Sequence, residues 1–144
     1  MTQSSENDPD PGVYDFPYSF TVIQKTVGQI RRDDYSKEDV LASWGGRFES
    51  TYWLERLVRE GKIIREGGRD LSVFHYGPAK EFSAYLAGGV PCHRLINGKP
   101  YYPPVLGWSR YPSVWSIYIG SFDQQRIIDC PPEQTIVVEV RDMM

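Results

Sequence analysis

Cysteine and histidine are scarce in this chain, with two of each among 144 residues. Cys92 and Cys130 form neither a disulfide framework nor the closely spaced ligand pairs of a zinc site. Adding His75 and His93 does not improve the pattern, so no metal and no cofactor is expected. Long apolar runs are also missing. None approaches the roughly 18 residues that would span a bilayer, so no membrane partner is expected. Residues 1–12 have neither the basic nor the apolar part of a secretory signal, which predicts a cytoplasmic protein with reduced thiols. There is no Gly-x-x-x-x-Gly-Lys phosphate loop and no Gly-x-Gly-x-x-Gly, so Gly45–Gly46, Gly67–Gly68 and Gly88–Gly89 read as turns.

A strong charge of either sign is absent too, the net value being −3. Its distribution is uneven. Glu6, Asp8, Asp10 and Asp15 stand in residues 1–21 without a base. Residues 22–77 carry ten Lys and Arg against nine Asp and Glu, and residues 78–144 carry six of each. Most of the basic residues therefore lie in the first half, with a slight excess that permits phosphate contact without demanding it.

What the chain does have is 40% hydrophobic and 14% aromatic residues, enough for a packed core. Residues 1–12 read as a disordered acidic tail. Tyr14, Phe16, Tyr18 and Phe20 then alternate, predicting an extended segment that Pro17 confines to an edge or a loop. Ile23, Val27 and Ile30 fall at helical spacing. Ser36, Lys37, Glu38 and Asp39 follow the Ser-x-x-acid capping pattern, predicting a second helix with Val40, Leu41 and Trp44 as its apolar stripe and Gly45–Gly46 as its stop. A third helix over residues 48–60 would bury Trp53, Leu54, Leu57 and Val58. Apolar runs on either side of Gly67, Gly68, Arg69 and Asp70 predict a hairpin. A short helix over 79–87, a Gly-, Pro- and Tyr-rich stretch over 88–112, and strands over 113–119, 126–129 and 135–141 complete the reading. The short connections between those strands predict a meander.

Helix, capped helix, glycine turn, amphipathic helix and hairpin in that order resemble a winged helix-turn-helix module over residues 21–77. Leu54, Leu57, Val58, Gly61, Lys62 and Ile63 resemble the end of its recognition helix and the start of its wing. The resemblance implies a winged-helix domain, placed over residues 13–77; with the strands read from alternation further along, the expected fold is α+β, the winged helix followed by a small antiparallel β-rich C-terminal half over 78–144. The resemblance also implies double-stranded DNA as partner. With the apolar stripe inward, Tyr52, Arg56 and Arg59 share the opposite face at i, i+4 and i+7, the face a recognition helix lays in the major groove. Arg47 near the start of that helix, and Arg65 and Arg69 in the wing, would add phosphate contacts. The competing reading is a solvated face whose arginines pair with Glu49, Glu55 and Glu60. The same fold would then serve as a protein-binding adaptor or inhibitor.

Pro91, Cys92, His93 and Arg94 resemble the active-site run of the alkylguanine-DNA alkyltransferases. That resemblance implies Cys92 as alkyl acceptor and His93 as its base. The surroundings depart from the family, since a hairpin and a helix stand between this run and the third helix, so a resting thiol is expected. Tyr101, Tyr102, Trp108, Tyr111, Trp115 and Tyr118 form an aromatic cluster, read as core first and partner interface second. The expected function is a small DNA-binding regulator acting by occupancy and not as an enzyme. Its second half would mediate dimerisation or protein contact, with the last strand at a sheet edge.

Overall fold

The computed structural model describes residues 18–46, 51–91, 95–96, 99–100, 107–109 and 117–142. The fold is α+β, built on one antiparallel sheet of seven strands. In chain order these are β1 (Tyr18–Ile23), β2 (Val40–Gly46), β3 (Ile64–Gly67), β4 (Ser72–Pro78), β7 (Gly107–Ser109), β8 (Ile117–Phe122) and β9 (Thr135–Asp142). A separate two-stranded ribbon joins β5 (Leu95–Ile96) to β6 (Lys99–Pro100). The helices are α1 (Val27–Arg31), α2 (Tyr52–Arg59), α3 (Ala79–Leu86) and α4 (Gln124–Asp129).

Strand order is β3-β4-β9-β1-β2-β8-β7. The last strand in sequence therefore lies between β4 and β1, pairing Val138 with His75 on one side and with Val22 on the other. This corrects two expectations. The strand at 135–141 is central, not an edge, and the C-terminal strands do not form a meander. Both of its faces are buried, which explains why Ile136, Val137, Val138 and Val140 form a nearly continuous apolar run. The boundary drawn at residue 77 falls inside β4, and the sheet takes strands from both sides of it.

The second predicted helix is not there. Its capping signal is used, since the Asp39 carboxylate accepts from the Ser36 amide at 2.8 Å, but it supports only a 3₁₀ turn over Lys37–Asp39. From Val40 the chain is strand β2. Leu41, Ala42 and Trp44 are buried there in the core cluster that also holds Trp53, Leu57, Phe82 and Leu86, and β1 and β8 pair with the segment on either side. Gly45 and Gly46, expected to stop a helix, pair with Ser19 and Tyr18 instead. The helix-turn-helix step is thus missing from the described residues. The first helix is shorter than its periodicity implied: Ile23 ends β1, and α1 begins after Thr26, which forms a reciprocal cap with Gln29. Residues 126–129 also differ from the expected strand. They belong to α4, whose N-cap Asp123 accepts from the Arg126 amide at 3.1 Å.

Other elements follow the pattern read from sequence. Trp53, Leu54 and Leu57 of α2 are buried and Val58 is half-buried. The β3–β4 hairpin and α3 stand where periodicity put them. The main core lies on the face of the sheet bearing Phe20, Val22, Ala42, Trp44, Val138 and Val140, which α2 and α3 cover with Trp53, Leu54, Leu57, Phe82 and Leu86. A smaller cluster on the other face packs Ile30 of α1 against Ile23, Phe74 and Val137. No described helix is long and apolar enough to cross a membrane.

Candidate interaction surface

Helix α2 and strand β3 adjoin in sequence and carry most of the residues expected to meet a ligand. Helical phase fixes the helix side. With Trp53, Leu54 and Leu57 on the core, Tyr52, Arg56 and Arg59 must face solvent, and Tyr52 is 42% exposed. The Lys62 amide donates to the Leu57 carbonyl at 3.0 Å, and Gly61 takes a positive φ of 74°, so the chain turns within a few residues into β3. Arg65 then stands exposed on the strand. Four expected contact residues, Tyr52, Arg56, Arg59 and Arg65, are therefore exposed on neighbouring segments. Arg47 lies outside the described residues.

Arg69 does something else. Its guanidinium donates to Glu139 at 2.8 Å, to Asp33 at 2.7 Å and to the Tyr35 hydroxyl at 3.1 Å. The Glu139 side chain is only 7% exposed. Hydrogen bonding to this carboxylate raises the guanidinium pKa further, and Arg69 is fully committed inside the fold. It ties the hairpin turn to α1 and β9 and is not a free wing cation.

The electrostatics of the exposed stripe are mixed. Glu60 accepts from Arg56 at 3.2 Å and pairs with Lys62 at 3.4 Å. The hydrogen bond from Arg56 lowers the Glu60 pKa, so the carboxylate stays charged between two cations. Glu55 is also exposed, held by the Thr51 hydroxyl at 2.8 Å. On the other side of the hairpin Arg31 pairs with Glu66 at 2.9 Å. Arg59 and Arg65 have no carboxylate within ion-pair distance among the described residues.

Beneath β3, on the sheet face that α2 covers, lies His75, 6% exposed, with no partner for its Nδ1 among the described residues. Burial pushes its pKa down from 6.5 to about 4, with nearby Arg65 adding to the effect. The folded protein therefore holds a neutral imidazole between those values while the unfolded chain takes up a proton. This contribution to stability is complete above pH 6.5 and is lost as pH falls toward 4, by about 3 kcal/mol in all. Urea unfolding between pH 6.5 and 5 should show that slope in the parent and a flatter one in His75→Leu. Equal slopes would assign the effect to other groups.

The opposite sheet face holds an open groove of about 210 Å³ lined by Ser19, Thr21, Ser43, Gly45 and Gly120. Ser43 Oγ lies 3.2 Å from Ser121 Oγ. His75 projects from the other face, as the register Ser43–Thr21–Glu139–Phe74 requires, so it cannot serve these hydroxyls as a base. Cys92, His93 and Arg94 lie outside the described residues. So do Tyr101, Tyr102, Tyr111 and Trp115 and the side chains of Trp108 and Tyr118. Among the described residues no group of three His, Cys, Asp or Glu is arranged to hold a metal ion. No protein-family model matches the chain, and no curated protein or solved structure is significantly similar to it, so neither the winged-helix nor the alkyltransferase resemblance gains support from a relative.

Proposed function

We propose that this chain is a protein-binding module, an adaptor or inhibitor, acting by occupancy through the surface of α2 and β3. One observation carries the reading: of the four described arginines that a duplex would need, two are engaged within the protein, and only Arg59 and Arg65 have no described carboxylate within ion-pair distance. Glu60 holds Arg56 and Lys62, and Glu139 with Asp33 holds Arg69. Phosphate binding draws its energy from releasing counterions condensed on the nucleic acid, and a cation already paired contributes little of it. A mixed-charge surface with an exposed tyrosine and an exposed isoleucine, Ile64 at 55%, has the composition that protein partners favour.

A DNA-binding regulator is the second reading. It is favoured by Arg59 and Arg65, which no carboxylate among the described residues neutralises. The two readings separate in one experiment. Tagged full-length chain is incubated with an extract of the cells that make it, with and without nuclease. The expected result is a discrete protein partner that survives nuclease and is lost when Tyr52→Ala is combined with Arg59→Glu. If the partner is released by nuclease, or duplex DNA binds with a steep salt dependence that Arg59→Ala weakens, the DNA reading replaces the first.

A further inference from the structure

We propose that β3 accepts an extended strand from a partner protein, one in which acidic and apolar residues alternate; this rests on the protein-binding reading above and names the partner's chemistry. β3 is the outermost strand on its side of the sheet and pairs only with β4 among the described residues. Its outward backbone N–H and C=O groups therefore form a template on which another strand can add. Its side chains do not shield it, since Ile64, Arg65 and Gly67 are all exposed.

The open stretch has a defined end. Arg31 of α1 donates to the Gly67 carbonyl and to the Glu66 carboxylate, closing the edge at Gly67; among the described residues nothing else bonds the outward-facing backbone groups between Ile64 and Glu66. Glu66 is satisfied twice, by Arg31 and by the Tyr76 hydroxyl at 3.1 Å, so it presents little unpaired negative charge.

Strand alternation then sets what each side of the edge will read. Ile64 points to the face of Tyr76, its cross-strand partner, and together they offer an apolar platform. Arg65 points to the face of His75, whose ring is neutral, and no carboxylate among the described residues lies within ion-pair distance of it. A residue added opposite Arg65 is favoured when acidic and repelled when basic, and a residue opposite Ile64 is favoured when apolar. Acidic and apolar residues in alternation satisfy both sides at once, whereas the DNA backbone offers phosphate acceptors but no donors for the carbonyls of the edge.

The test uses isotope-labelled full-length chain and three synthetic peptides of roughly ten residues, a length that covers the edge with margin. One alternates Glu and Val, one alternates Lys and Val, and one carries a central proline in the Glu–Val pattern. The expected result is amide shifts centred on Ile64 to Gly67 with the Glu–Val peptide, about tenfold tighter than Lys–Val. The proline peptide should not bind, because it lacks the donor the edge requires. Arg65→Glu should reverse the preference, and Ile64→Lys should weaken Glu–Val binding; both positions are exposed, so the fold should tolerate the changes. Equal affinity for both charges, an unchanged preference in Arg65→Glu, or shifts centred elsewhere would overturn the proposal. A captured partner that ignores Ile64→Lys and Arg65→Glu but is lost with the α2 variant would overturn the edge assignment while leaving the protein-binding module standing.

Discussion

Replacing Arg69 with alanine is expected to destabilise the fold by about 3–5 kcal/mol, toward the lower end because the guanidinium keeps some contact with solvent. The loss comes less from the missing contacts than from what stays behind. Glu139 sits on a central strand with its carboxylate buried, and the remaining cation, Arg141, is 3.6 Å away. Without Arg69 the charge is left with one looser partner in a poorly solvated place. Two consequences separate this account from simple loss of packing. Arg69→Ala combined with Glu139→Gln should recover part of the loss, since the stranded charge is gone. Arg69→Lys should not restore the parent, because one ammonium cannot reach Glu139, Asp33 and Tyr35 with the geometry of a planar fork. Chemical denaturation of the four proteins is sufficient. A loss below about 1 kcal/mol for Arg69→Ala would show that Glu139 is solvated without it.

Trp53→Ala should have an effect of similar size, about 3–5 kcal/mol, for a different reason. Trp53 is where α2 meets the sheet and α3. Its ring centroid lies 6.4 Å from Trp44, 6.3 Å from Phe82 in an edge-on approach, and 5.6 Å from Tyr85. Trp44 in turn stacks on Phe20 at 5.2 Å. Truncation removes the ring that links three elements and opens a cavity that the flanking aromatics cannot fill by small movements. Trp53→Phe is the informative companion. It retains a ring at the same place and removes an indole N–H that has no acceptor among the described residues, which offsets part of the lost area. Thermal unfolding should therefore place Trp53→Phe much closer to the parent than to Trp53→Ala. A phenylalanine variant as unstable as the alanine one would mean that the indole donor has a partner.

The elements legible in the sequence are those whose signal is local and lacks a rival. The phase of Trp53, Leu54 and Leu57 fits only a helix, and the same phase put Tyr52, Arg56 and Arg59 in solvent. The glycine turn between two apolar runs fits only a hairpin. Val40, Leu41 and Trp44 are different, because they match a helical stripe after a good cap and also suit a strand. What decides is the pairing of Phe20 with Trp44 and of Ala42 with Phe122, contacts made by residues far away in sequence. The role of Arg69 is hidden in the sequence for the same reason. In sequence it is a basic residue in a glycine-rich turn, and its partner Glu139 stands 70 positions later. Residues 126–129 are a more local case: the stretch reads as a strand, and the cap that Asp123 supplies starts a helix there instead.

The placement of β9 bears on how the molecule comes into being. Tyr18 pairs with Asp142, and Ser72 with Arg141, so the centre of the sheet closes only after nearly the whole described chain has been synthesised. Until then β1 and β4 have no strand between them, and their facing edges are open. Ordering so much chain before its reward of contacts is slow, and a nascent first half exposes apolar strands to its neighbours meanwhile. Translation speed and chaperone access during this interval should govern yield more strongly than the stability of the finished protein does.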